Sequence, residues 1–421
     1  MAHPFWPRRD GILGVHPRLK ADVRCDVLVV GAGITGALIA LELSRRGLEV
    51  VVVDRRDIGG GSTSASTAML QYEIDELLVD LSAALGPRDA ALAYTECGRG
   101  IELVERATQA IGKNCGFRRS PSVFMAVKRS DIATLRDEFE ARVAVRFDVR
   151  WLDEAALRER WGLTGRAAIE SALGASVDPY ALSFYALETV RQRGGQVFER
   201  TEVRAFDFSP RRARMTATGG TITAKNVVIS TGYEVTELLP NLPFSLHSSF
   251  ALVTEPIESL QRRFPDGLLF WDLDEPYLYG RTTDDMRLLI GGKDENYRDP
   301  LRRSRALASK ARSLAVAIPK RLPDLGAVET AFSWTGTFAE TPDGLAYIGS
   351  HSLFPRCHFA LGFGGNGITY SALAAQYISD TIDGLTFQGE GSQTPEPATF
   401  ALLAMSLILG VGVRRRFVAR G

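Results

Sequence analysis

The stretch from Cys25 to Arg56, CDVLVVGAGITGALIALELSRRGLEVVVVDRR, constrains the fold more than any other part of the chain. Asp26 to Val30 is a short apolar run with β-branched residues, which predicts a buried strand. Gly31, Gly33 and Gly36 then spell GxGxxG. Ile34 and Thr35 open a helical run that ends near Gly47. Val50 to Val53 is a second buried strand, closed by Asp54 and Arg55. Gly31 permits the tight turn, Gly33 lets the backbone approach a pyrophosphate, and Gly36 lets helix and strand pack closely. The helix N-terminus offers free amides and a positive dipole end to phosphates. Asp54, about 20 residues beyond the glycines, suits the ribose hydroxyls. An acid at this place disfavours a 2′-phosphate. It does not separate NAD from FAD.

The rest of the composition narrows the field. Lys+Arg and Asp+Glu both number 50, so no overall basic field recommends nucleic acid. Cys25, Cys97, Cys115 and Cys357 lie far apart with no CxxC pair. That argues against a disulfide framework or a metal site and predicts buried thiols. Residues 1–23 carry prolines, charges and His16 where a signal peptide needs an apolar run, and are expected to form an irregular arm.

Three further blocks decide the cofactor: IGGGSTSASTAML after the second strand, NVVISTGYE at residues 226–234, and WTGTFAETPDGLAYIGS followed by CHFALGFGGNGITYSALAAQYISDTIDG. With the first motif, and in this order, they resemble the D-amino acid oxidase/glycine oxidase family of FAD-dependent oxidoreductases, from about Cys25 to Gly384. The resemblance implies non-covalent FAD. It places Ser62, Thr63, Ser66, Thr67 and Met69 on the flavin side and Val203 at the adenine. Thr231 and Gly232 would close over the cofactor. Gly364, Gly365, Asn366, Gly367 and Ile368 would form a glycine turn that opens the last helix toward the flavin, where a helix N-terminus stabilises negative charge.

The expected fold is therefore α/β: a discontinuous Rossmann-like FAD-binding domain over 24–82, 172–243 and 340–386. An inserted antiparallel-sheet substrate domain takes 83–171 and 244–339, where alternating segments such as SVFMAVKR, SSFALVTEPI and RLLIGGKDE occur.

The resemblance further implies hydride transfer from the carbon beside an amine nitrogen to flavin N5, with oxygen or a membrane or soluble carrier as the next acceptor. No dedicated acid–base pair is required. Amino-acid oxidases of the family carry an arginine in a stretch resembling GLRPxTPDG; here Phe338 stands in its place, so a planar cation is exchanged for an apolar ring. Tyr277, Tyr279 and Arg281 alternate on a predicted strand and share a face. Arg281 is expected either to clamp an acidic group or to pair with Asp284 or Asp285. His247 is a lesser pocket candidate. The same scaffold also suits a 2-hydroxy acid dehydrogenase or a flavoprotein serving as an envelope module.

Beyond Gly384 the composition changes. A polar linker over 387–397 leads through Pro395-Glu396-Pro397 to an apolar run, Ala398 to Val413, and then Arg414-Arg415-Arg416. This tail resembles a PEP-CTERM sorting signal, which implies an exosortase as partner and association with the inner membrane. A tail helix is expected over 398–421.

Overall fold

The computed structural model describes residues 4–237, 244–274, 276–384 and 417–418. The Val23–Val30 strand lies between two parallel neighbours, Val50–Val53 and Gly220–Ile229. Gln196–Phe198 extends the sheet beyond Val50–Val53. On the other flank the start of Gly220–Ile229 pairs antiparallel with Ala213–Ala217, and its end pairs parallel with Phe354–Leu361. Val27, Val29, Val50 and Val52 face one apolar core, while Leu28, Val30, Val51 and Val53 face another. Both faces of these strands are covered, which is why they read as unbroken apolar runs. The expected α/β class with a Rossmann-like unit is present.

The parallel register brings Val30, Val53 and Ile229 to the same level. Ligands of such sheets bind beyond the carboxyl ends of the strands. Gly31 and Ser230, the first residues past two of these ends, are tied to Val53 and Val30 by amide–carbonyl bonds of 2.8 and 2.9 Å.

A second sheet has the order Thr330–Glu340, Ser245–Thr254, Leu288–Glu295, Leu278–Thr282, Leu269–Asp272, Ser122–Ala126, Ala167–Ser171, Val149–Asp153. It is antiparallel except where Leu269–Asp272 runs parallel to Ser122–Ala126. The Pro300–Arg321 helix covers one face, burying Leu314 and Ile318 against Phe250, Leu252 and Ile290. From the opposite face Ala251, Val253, Leu289 and Trp334 join the core shared with the first sheet. The second sheet is thereby held against the cofactor side.

The irregular arm expected over residues 1–23 is corrected in part. Phe5–Asp10 is a helix, with Phe5 and Trp6 buried. Pro7 sits in its first turn, where the amides have no intrahelical partner and proline costs little. Of the tail expected as a helix, only 417–418 are described, and they pair as a short strand with Ala205 and Phe206; the remainder and the linker lie outside the described residues. Among the described residues no helix is long and apolar enough to cross a membrane. The four cysteines are buried thiols; burial raises the pKa of Cys25, Cys97 and Cys115 to about 12.

Candidate active site

A cavity of about 690 Å³ runs from the Gly31 turn to the glycine turn at 364–368. Gly31, Gly33, Ile34, Thr35, Asp54, Arg55, Ser62, Thr63, Ser66, Thr67, Met69, Val203, Thr231, Gly232 and Gly364 through Ile368 all line it. Gly36 does not, and its role explains this: a Cβ there would lie 1.8 Å from the Gly31 carbonyl oxygen, so it is the contact between helix and turn.

The donor and acceptor chemistry of this cavity fits a dinucleotide. Gly31 has φ +114°, and a Cβ on Gly33 would meet Thr63 Oγ1 at 2.9 Å. Asp54 accepts the amides of Ala32 and Arg56, each at 2.7 Å, and its carboxylate keeps further lone pairs for hydroxyls. Burial raises its pKa. Arg55 lies 2.8 Å from Glu234, which also pairs with Arg56. Thr231 Oγ1 is buried and has no hydrogen-bond partner among the described residues, an orphan that a bound group would satisfy. Among the described residues no side chain caps the Gly367–Asp383 helix, whose first amides have no intrahelical partner. The turn before it offers less than its five residues suggest: Gly364 donates to the Ala339 carbonyl at 3.0 Å and Gly365 to Asp75 at 2.6 Å.

The segment Ala65–Thr67, on the cavity wall, is held by three donors from three separate elements. Trp334 Nε1 donates to the Ala65 carbonyl and Trp6 Nε1 to that of Ser66, both at 2.8 Å, and Arg281 Nε donates to that of Thr67 at 2.7 Å. The Arg281 guanidinium also sits 5.2 Å over the Trp6 ring. This corrects both expectations for Arg281. It is buried outside the cavity, with Nη1 and Nη2 directed to the carbonyls of Thr282 and Val177. Burial pushes its pKa down to about 10. The two acids proposed as partners belong to other arginines: Asp284 lies 3.3 Å from Arg9 and Asp285 2.7 Å from Arg287. Alternation gave the correct face but not the depth.

Tyr277 and Tyr279 do line the cavity, their rings stacked at 5.8 Å. Room for Tyr279 comes from Gly291, directly opposite in the sheet, where a Cβ would lie 2.3 Å from the ring. Tyr277 donates its hydroxyl to Asp294 at 2.5 Å. Burial, then the Asp294 charge, raises the Tyr277 pKa. Phe338 lines the cavity too, with His247 stacked on its ring at 5.3 Å. His247 is not a lining residue; it lies 2.9 Å from Glu340.

Three carboxylates that sequence reasoning missed stand at this end: Asp75, Asp294 and Glu340. Asp75 is solvent-exposed where the cavity opens, yet its carboxyl is crowded by surrounding protein, which raises its pKa to about 6, and Glu340, Glu76 and Asp294 add to the shift. Glu340 lies inside the ETPDG motif and was readable there; Asp75 and Asp294 had no sequence signal. A further buried group borders the cavity. Arg142 donates to Glu138 and to Glu73, both at 2.8 Å, and Asn366 is tied to the Glu73 carbonyl.

A family model described as FAD dependent oxidoreductase (DAO) matches residues 26–381, and one described as PEP-CTERM protein-sorting motif matches 393–416. The chain is 26% identical over 377 residues to gamma-glutamylputrescine oxidoreductase of Escherichia coli, covering 87% of this chain and 85% of that protein. It is 26% identical over 376 residues to glycine oxidase of Geobacillus kaustophilus, covering 86% and 93%. The solved structure of the Geobacillus kaustophilus glycine oxidase superposes with TM-score 0.72 at 22% identity, covering 90% of this chain and 98% of that one. L-proline dehydrogenase from P. horikoshii also gives TM-score 0.72, at 20% identity over 88% and 95%. The motif order, the cavity they line and the match over residues 26–381 together place the chain in the DAO family of FAD-dependent oxidoreductases.

Proposed function

We infer that the chain oxidises amines at the carbon beside nitrogen, and that simple α-amino acids are poor donors. FAD, when bound, supplies the acceptor for the hydride that leaves this carbon. The names of the two relatives, one acting on an amine and one on glycine, support the donor class. The observation that carries the finer reading is Phe338. Its ring lines the cavity where a carboxylate-binding arginine was expected, and Arg281, the alternative clamp, is committed to backbone carbonyls. An α-carboxylate would meet an apolar ring and no free guanidinium. Tyr277, Tyr279, Phe338 and Phe363 would hold the donor carbon and keep water away from it. In this reading 24–82, 172–243 and 340–386 hold the cofactor, and 83–171 and 244–339 recognise the donor. The next electron acceptor is oxygen or a carrier.

Product analysis tests this reading. A primary amine donor should yield an imine that hydrolyses to a carbonyl compound and ammonia, and a secondary amine a carbonyl compound and a primary amine. A 2-hydroxy acid would yield a keto acid and no ammonia, and that result would replace the amine reading. The tail match supports handling by an exosortase and inner-membrane association. Removal of residues 390–421 should release the protein from membranes with its flavin spectrum unchanged; an unaltered distribution would oppose this.

A further inference from the structure

The charge at the donor end of the cavity is unbalanced. Asp75, Asp294 and Glu340 line it, and among the described residues three cations, Arg55, Arg56 and Arg142, line the whole cavity. Arg55 and Arg56 pair with Glu234 beside Asp54, away from these acids. Arg142 is enclosed by Glu73 and Glu138, two carboxylates against one guanidinium. Asp272 and Asp274, also on the wall, are already paired with Arg321, and Asp274 with Lys128. Among the described residues the basic group beside these acids is His247, 2.9 Å from Glu340.

A second observation is independent of this charge count. Asp294 Oδ2 is held by Tyr277, while Oδ1 is shielded from solvent and has no close hydrogen-bond donor among the described residues, Ser249 being the nearby hydroxyl. A buried carboxylate oxygen without a donor is costly, and a ligand donor would relieve it. Tyr277, Tyr279 and Phe338 line the same cavity, and aromatic rings attract an ammonium group through the ring quadrupole.

We propose that the donor is a diamine or polyamine whose distal ammonium is held by Asp294, Glu340 and Asp75 while its other nitrogen is the one oxidised. This rests on the amine reading above and deepens it. The oxidised nitrogen must be uncharged to release a hydride from its carbon, so the carboxylates have to act on a second, remote cation rather than on the reacting amine. An amino acid would bring its carboxylate against three of the same sign.

The test is the anaerobic reductive half-reaction of the full-length holoenzyme with putrescine, with n-butylamine as the monocation of equal carbon chain, and with glycine. It yields a dissociation constant separately from the limiting rate. Putrescine should bind about tenfold or more tightly than n-butylamine. That gap should shrink to about threefold or less in Glu340→Gln and in Asp294→Asn, with limiting rates changed much less. Glu340 has a 40% exposed side chain, so its variant keeps the fold. Equal binding of putrescine and n-butylamine by the unaltered protein overturns the proposal and leaves the amine reading standing. A gap that survives in both variants also overturns it. Reduction by 2-hydroxy acids but by neither amine removes the amine reading and the proposal with it.

Discussion

The hydroxyl of Tyr277 donates to Asp294 across the cavity wall at 2.5 Å, tying the residue just before the Leu278–Thr282 strand to its neighbour Leu288–Glu295 in the second sheet. This pair couples the aromatic surface to the carboxylate. Tyr277→Phe removes the donor, keeps the ring and leaves a second Asp294 oxygen unpartnered. The expected result is weaker amine binding by about tenfold, with FAD content unchanged. Titration of the bound flavin spectrum with amine checks it.

Arg281 is a positioning residue for the Ala65–Thr67 segment. Its loss removes a donor from the carbonyls of Thr67, Thr282 and Val177. Arg281→Ala should cost about 3 kcal/mol or more of stability, since each buried orphan costs about 1–3 kcal/mol. Denaturant unfolding measures this. A stable variant with only a raised Michaelis constant would restore the clamp.

Trp6 belongs to the same brace, from a helix that precedes the family match. Trp6→Phe keeps much of the packing and removes one donor to Ser66, which is worth about 1 kcal/mol. FAD affinity should fall several-fold, and equilibrium dialysis reads the change.

Arg142 is fully enclosed with Glu73 and Glu138. Arg142→Met strands two buried carboxylates and should destabilise the protein by about 3–5 kcal/mol. Adding Glu73→Gln and Glu138→Gln should recover part of that loss, as thermal unfolding of the triple variant would show.

Asp75 gives a pH dependence with a definite sign. Its pKa is raised from 3.8 to about 6 by the protein crowded around its carboxyl and then by Glu340, Glu76 and Asp294, while the Gly365 amide opposes the shift; the residue itself is exposed to solvent, which screens the effect and keeps it small. The folded protein holds this proton more tightly than the unfolded chain, so Asp75 costs stability as pH rises between the two values. Asp75→Asn should match the parent near pH 4 and exceed it above about pH 7 in melting temperature. Cation binding by the parent should strengthen as pH rises through about 6, because Asp75 becomes charged.

The cofactor half of the site was legible because its signals are local. Gly31, Gly33 and Gly36 specify one turn, and Thr63, Thr231 and Gly367 follow strand ends or open helices within their own motifs. The donor half depends on register and burial. Asp294 reaches Tyr277 beyond Gly292, whose φ of +131° breaks the simple alternation of that strand. Asp75 reaches Gly365 from a loop distant in sequence. Arg281 shared the predicted face with the tyrosines, but its partners at Thr67 and Val177 come from elements that alternation does not reach. The short helix at Phe5–Asp10 was hidden by Pro7, which a first helical turn accepts.

The most direct measurement is anaerobic mixing of the purified yellow holoenzyme with a diamine while the visible flavin band is followed. Loss of the band without oxygen, with one carbonyl product and one ammonia released per flavin reduced, is the expected result. A band that persists with every amine while a 2-hydroxy acid bleaches it would contradict the account.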